Sequence, residues 1–151
     1  MSPELISIAH SIATCHALDP TLICAIIEQE SNWNPHAIRY EPAFFAKYVA
    51  PLFTNNKIAP ATNTEAYSRA FSWGLMQVMG QSARETGFTG QFLSELCDPA
   101  NGIEIGCALF AHKLAIAGGN ISQALQFWNG GANPNYATEV QSRMHNYIFA
   151  Q

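Results

Sequence analysis

Charge is what this sequence has least of. Its 7 Lys and Arg and 11 Asp and Glu make up 12% of 151 residues and leave a net charge of −4. So few cations give no basic field to hold nucleic acid or an anionic membrane surface. No run reaches the ~18 consecutive apolar residues of a membrane-crossing helix. The opening stretch MSPELISIAHSIATCHALDP has no basic n-region and no small-residue cleavage site, so it reads as helix and not as a secretory signal. Four cysteines, at 15, 24, 97 and 107, form no Cys-x-x-Cys pair, and the histidines at 10, 16, 36, 112 and 145 are scattered. Neither set has the spacing of metal ligands, and no metal or other cofactor is expected. Free cysteines of this kind belong in apolar core. A Cys97–Cys107 bridge stays open for an oxidising compartment.

What is present is apolar: 48% of the residues, enough for one compact domain over 1–151 with a real core. Start signals recur along the chain. Ser2-Pro3 opens a helix that ends near Ala17, with Leu5, Ile8, Ala9 and Ile12 on one face. Asp19-Pro20 opens a second, apolar nearly all round, which belongs in the middle of the core until Asn34-Pro35 breaks it. Glu41-Pro42 opens a short helix through Val49, and the Pro-, Asn- and Thr-rich stretch from Pro51 to Asn63 reads as an insertion or lid. Ser82 to Thr86 is a short helix stopped by Gly87. Asp98-Pro99 caps a longer one with Ile103, Cys107, Phe110 and Leu114 inward, ended by Gly118-Gly119. Two more start at Asn120 or Ser122 and at Asn133-Pro134, the last with a stripe of Tyr136, Val140, Met144 and Tyr147. The expected fold is mainly α, with little or no β structure beyond short pieces within 40–80.

Against this helical background four polar and aromatic stations stand out: EQESNWNP from Glu28, SWGLMQ at 72–77, FWNGG at 127–131 and NYATEV at 135–140. Glu30 falls in the last turn of the buried second helix. There the negative end of the helix dipole and the apolar neighbours Ile26, Ile27 and Trp33 both disfavour its charged form. A carboxylic acid that keeps its proton near neutral pH suits glycosidic bond cleavage, in which the leaving oxygen must be protonated. Glu28 is about 200° away around the helix and points elsewhere. Glu41 is the better candidate for a second carboxylate.

The ordered set Glu30-Ser31 with Asn34-Pro35, Gly74-Leu75-Met76-Gln77, Trp128-Asn129 and Tyr136 resembles the catalytic domain of soluble lytic transglycosylases, relatives of goose-type lysozyme, over roughly residues 17–148. The resemblance implies a lysozyme-like domain, assigned to an α+β superfamily but mainly helical in this chain. In that family one glutamate, matched by Glu30, acts first as acid on the bond between N-acetylmuramic acid and N-acetylglucosamine, then as base while the sugar's C6 hydroxyl attacks C1. The product is a 1,6-anhydro sugar. The family's groove contacts map onto Met76, Gln77, Trp128 and Asn129, and the tyrosine beside its acid onto Tyr136. Ser31 and Ser72 fall within the same matched stations and are expected at the groove.

The sequence departs from the family at Arg39, where a serine often contacts the N-acetyl group, and in the longer segment up to Gly74. Arg39-Tyr40-Glu41-Pro42 resembles phage-type members with an extended loop. Arg39 and Glu41 are therefore expected to rebuild the groove, with the 40–70 segment as one wall, and Glu41 keeps open a hydrolytic muramidase that activates water. A non-catalytic wall-binding or phage structural module and a chitin-active relative are further alternatives. The implied partner is the peptidoglycan glycan strand, met by a monomer in the periplasm or at the cell wall after phage-type release or delivery.

Single residues keep plainer readings beside these. Met76, Trp128 and Tyr136 each suit ordinary core, and Gln77 suits a structural amide. Asn129-Gly130-Gly131 suits a helix terminator, Glu41 an ion-pair partner of Arg39, and Ser31 a local helix-end donor.

Overall fold

The computed structural model describes residues 2–148. The chain begins with α1 (Pro3–Cys15), α2 (Pro20–Ser31) and strand β1 (Ile38–Tyr40). An inserted segment follows, made of α3 (Pro42–Phe44), a π-helical turn (Phe45–Val49), α4 (Ala50–Thr54) and α5 (Asn63–Ser68). Strands β2 (Phe71–Trp73) and β3 (Val78–Met79) lead into α6 (Gly80–Glu85) and a 3-10 turn (Leu93–Cys97). The long helix α7 (Pro99–Ile116), then α8 (Ile121–Trp128), α9 (Tyr136–Arg143) and a last 3-10 turn (Met144–Tyr147) complete it. The architecture is mainly α, with one small antiparallel sheet in the order β1-β2-β3.

Helix starts follow the side chains that satisfy the first free amides. Asp19 accepts from Thr21 N–H at 2.8 Å, Asp98 from Asn101 N–H at 3.1 Å, and Asn120 from Gln123 N–H at 3.0 Å. Proline at the first turn of α1, α2 and α7 costs no hydrogen bond there. Ser2 precedes α1 without a side-chain cap. On α1 it is Ala9 and Ala13 that are fully buried, with Leu5, Ile8 and Ile12 half-buried against the core.

α2 is the spine of the molecule. Leu22, Ile23, Cys24, Ala25, Ile26 and Ile27 are all buried, against α1, α9 and the last 3-10 turn. Its end differs from the sequence expectation. The helix stops at Ser31, before Asn34-Pro35, because Asn32 turns left-handed at φ 49° and Trp33 continues at φ 64°. Asparagine tolerates that region, and Trp33 is held in it by burial and by an Nε1–H bond to the Tyr147 hydroxyl at 2.8 Å.

The inserted segment is more helical than its Pro- and Asn-rich stretch suggests. The backbone stays helical through Pro51 to Thr54, running on directly from the π-helical turn, whose last bond goes from Ala50 N–H to Phe45 O. Val49, Ile58, Ala66 and Ala70 form a second small core, covered by Tyr40, Phe44, Phe45, Leu52 and Phe53. A buried carboxylate ties this segment to the rest. Glu65 accepts from Arg69 Nε at 2.9 Å and from Arg84 Nε and Nη2 at 2.9 and 3.1 Å. Burial alone would raise the Glu65 pKa, but hydrogen bonds from Arg84 and Arg69 hold it below the usual range.

All four cysteines, Cys97 and Cys107 among them, are free thiols in this structure. Cys24 and Cys107 are buried in the core, where loss of water pushes each thiol up to about 12. No helix among the described residues is long and apolar enough to cross a membrane.

Candidate active site

Strand register builds one wall of an open cleft. Arg39 pairs with Ser72 across β1 and β2, and Ser72 with Met79 across β2 and β3. Directly opposed residues share a face, and all three line a cleft of about 230 Å3. Glu30 at the end of α2, Leu109 and Lys113 on α7, and Trp128 and Asn129 at the end of α8 line it from the other side, with Gln77, Val78 and Ser82 completing the lining.

The turn between β2 and β3 carries Gly74, Leu75, Met76 and Gln77. Gly74 sits at φ 65°, and a Cβ there would lie 2.3 Å from the Leu96 carbonyl oxygen, so only glycine fits. Its N–H donates to Ala37 O at 2.8 Å. The Gln77 amide donates to Ala37 O and Gly74 O, both at 2.9 Å, and accepts from Ser72 Oγ at 3.1 Å. Gln77 thus binds the turn to the chain leaving α2 and also lines the cleft.

Glu30 is held from behind. Its Oε1 accepts from the Tyr136 hydroxyl at 2.5 Å and from Trp128 Nε1–H at 3.1 Å. Burial raises the Glu30 pKa above the usual carboxylate range, opposed by the bonds from Tyr136 and Trp128 and by the Arg39 charge. Tyr136 is 4% exposed. Burial and the adjacent Glu30 carboxylate push its own pKa far up, so it stays a donor. Trp128 is seated edge-on against the buried Phe110, ring centroids 5.8 Å apart. Asn129 is braced by a bond from its Nδ2 to Asn133 O at 3.2 Å. Glu28 faces the opposite side, as its angle around α2 requires, and accepts from Tyr147 O–H at 2.6 Å.

Three expected groove residues lie elsewhere. Met76 is completely buried and packs where a Cβ on Gly106 would meet its sulfur at 2.3 Å, so it is core and not groove. Ser31 donates to Leu75 O at 2.8 Å and Ile27 O at 3.1 Å, which commits its hydroxyl to the backbone and keeps it out of the cleft lining. Glu41 pairs with Arg39 Nε at 2.5 Å and contributes nothing to the lining. Nor does any residue from 40–70; the apolar side chains of that segment gather in their own small core instead of forming a wall. The expected course of the groove over 72–79 takes in Val78 and Met79, which line the cleft, whereas the sequence reading missed Leu109, Lys113 and Ser82. Leu109 and Lys113 are four residues apart on α7, beside the inward stripe of Ile103, Cys107 and Phe110, and that helical repeat was the available signal.

The fold is a mainly helical, lysozyme-like domain with an open cleft that a water-poor carboxyl lines. The family model described as "Transglycosylase SLT domain" matches residues 60–148, more than half the chain, and the protein belongs to that family. The SLT domain indicates lytic-transglycosylase-type activity on peptidoglycan. The matched span holds Ser72, the 74–77 turn, Trp128, Asn129 and Tyr136, whereas Glu30 and Arg39 precede it. No solved structure matches the chain.

Proposed function

We propose that the protein is a peptidoglycan lytic transglycosylase in which Glu30 is the single acid–base group. The protonated carboxyl gives its hydrogen to the bridging oxygen between C1 of N-acetylmuramic acid and N-acetylglucosamine, and the C1–O bond breaks. The resulting carboxylate then takes the proton from the C6 hydroxyl of the same muramyl residue as that oxygen bonds to C1. Glu30 ends as it began, no water is consumed, and the product carries a 1,6-anhydro ring. Tyr136 and Trp128 hold Oε1 in place and stabilise the carboxylate midway. Arg39, Ser72, Gln77, Trp128 and Asn129 hold the sugars. Protonation and groove contacts suffice for the reaction, without a cofactor.

The lining of the cleft carries this reading. Among the described residues Glu30 is its only carboxyl, alongside the cations Arg39 and Lys113. A hydrolytic muramidase needs a second carboxylate to activate water, and the nearest candidate from sequence, Glu41, is engaged by Arg39. Mass analysis of digested cell wall tests the proposal. Ends lighter by one water than reducing muramyl ends are expected; reducing ends in their place would establish hydrolysis and return Glu41 to the mechanism. Intact strands would leave the non-catalytic module. The site of action we infer is the cell wall, reached as a monomer by phage-type release or by delivery.

A further inference from the structure

Lys113 has no role in the proton transfer, yet it stands at a junction. Its side chain lines the cleft that holds Glu30 and also a second, more apolar depression of about 620 Å3 with Ile116, Phe127, Gly130 and Gly131. Among the described residues it is the only charged one of that depression. Its Nζ donates to Phe127 O at 3.0 Å, and among the described residues no carboxylate forms an ion pair with it. A backbone carbonyl satisfies one of the three donors of an ammonium group. Burial lowers the Lys113 pKa, as it does for a cation short of water. Ile116 is 64% and Phe127 39% exposed, so the apolar floor is open to a ligand.

We infer that Lys113 and the Ile116–Phe127 depression form a subsite for the peptide branch of the glycan, with the ammonium group pairing a peptide carboxylate and the floor taking its aliphatic part. The inference rests on the peptidoglycan reading above and adds which form of the strand is preferred. A bare sugar chain offers nothing to fill an apolar depression beside the cleft. A muramyl residue carries its peptide laterally, as a branch with both alkyl and carboxylate groups. The continuity of the two hollows at Lys113 matches that branching.

The test compares glycan strands bearing their peptides with the same strands after an amidase has removed them. On peptide-bearing strands, Lys113→Met should raise KM by about tenfold with kcat retained, the scale of losing one partly desolvated charge pair. On stripped strands KM should change by less than about twofold, and Lys113→Arg should restore most of the difference. Equal loss on both strands, greater loss on stripped strands whose lactyl carboxylates are free, or no loss at all would overturn the subsite. If Lys113→Met fails to fold, salt replaces it: rising ionic strength should raise the native protein's KM on peptide-bearing strands alone, and an equal rise on stripped strands refutes the pairing. Titration of Glu30→Gln with a peptide-bearing muramyl fragment, with and without Lys113→Met, reads the subsite without turnover. A native chain that leaves every strand intact refutes the transglycosylase, while the titration still decides on Lys113.

Discussion

Tyr136 donates its hydroxyl proton to Glu30 Oε1 across 2.5 Å, joining the first residue of α9 to the last turn of α2. The bond fixes the rotamer of the carboxyl and favours its ionised form, while burial favours the protonated one. A group that must lose and regain a proton in one cycle is served by this opposition.

Replacing Glu30 by Gln should cut turnover about 10²–10⁴-fold, the usual worth of a general acid, with the fold intact. Its effect on stability has a definite sign. The native pKa is raised, so the unfolded chain loses this proton first and stability falls as pH rises from the ordinary glutamate value to the native one. Glu30→Gln should therefore unfold at a higher temperature than the native protein at neutral pH. The gap should close in acid below the ordinary glutamate pKa, as thermal melts at several pH values would reveal.

Tyr136→Phe removes the short bond without emptying the site. A rate loss of roughly tenfold is expected, in line with one hydrogen bond to an ionised partner, together with a pH–rate profile whose alkaline limb moves up. An unchanged profile would reduce Tyr136 to packing.

Arg39 lowers the Glu30 pKa through its charge. Arg39→Met should shift the alkaline limb upward and free Glu41, whose carboxylate Arg39 now engages. Steady-state rates across neutral and alkaline pH measure the shift; a downward one would contradict the electrostatic account.

Met76→Ala should cost about 2–5 kcal/mol of stability through the cavity it leaves, with KM unchanged in protein that remains folded. Denaturant unfolding and kinetics on the same sample separate this from a sugar contact, which would raise KM.

The parts of this molecule that a sequence discloses are those decided within a turn of helix. Asp19, Asp98 and Asn120 cap helices through amides two or three residues away, and the position of Glu30 in the last turn of α2 followed from such local rules. The exit of α2 did not, because Asn34-Pro35 is the louder signal, although the left-handed turn at Asn32 comes first. Met76 and Lys113 were misjudged or missed for a different reason. The first is decided by the absent side chain of Gly106, the second by where α7 lies along the cleft, and neither contact is near in the chain. The family match shares the difficulty: it starts at residue 60, past much of the long segment that separates Glu30 from the 74–77 turn.

That segment touches no sugar during the proposed proton transfer, yet its two halves brace β1 and β2 through a small core and the doubly gripped Glu65. To swing outward it would have to draw Glu65 and Arg69 together away from Arg84 and leave that half-buried guanidinium without its carboxylate. The wall of the cleft that carries Arg39 and Ser72 thus leans on a packed core and a largely buried ion pair some way from the carboxyl it faces. Trimming the segment would loosen Arg39 from a distance, an injury to binding inflicted by residues that never meet the ligand.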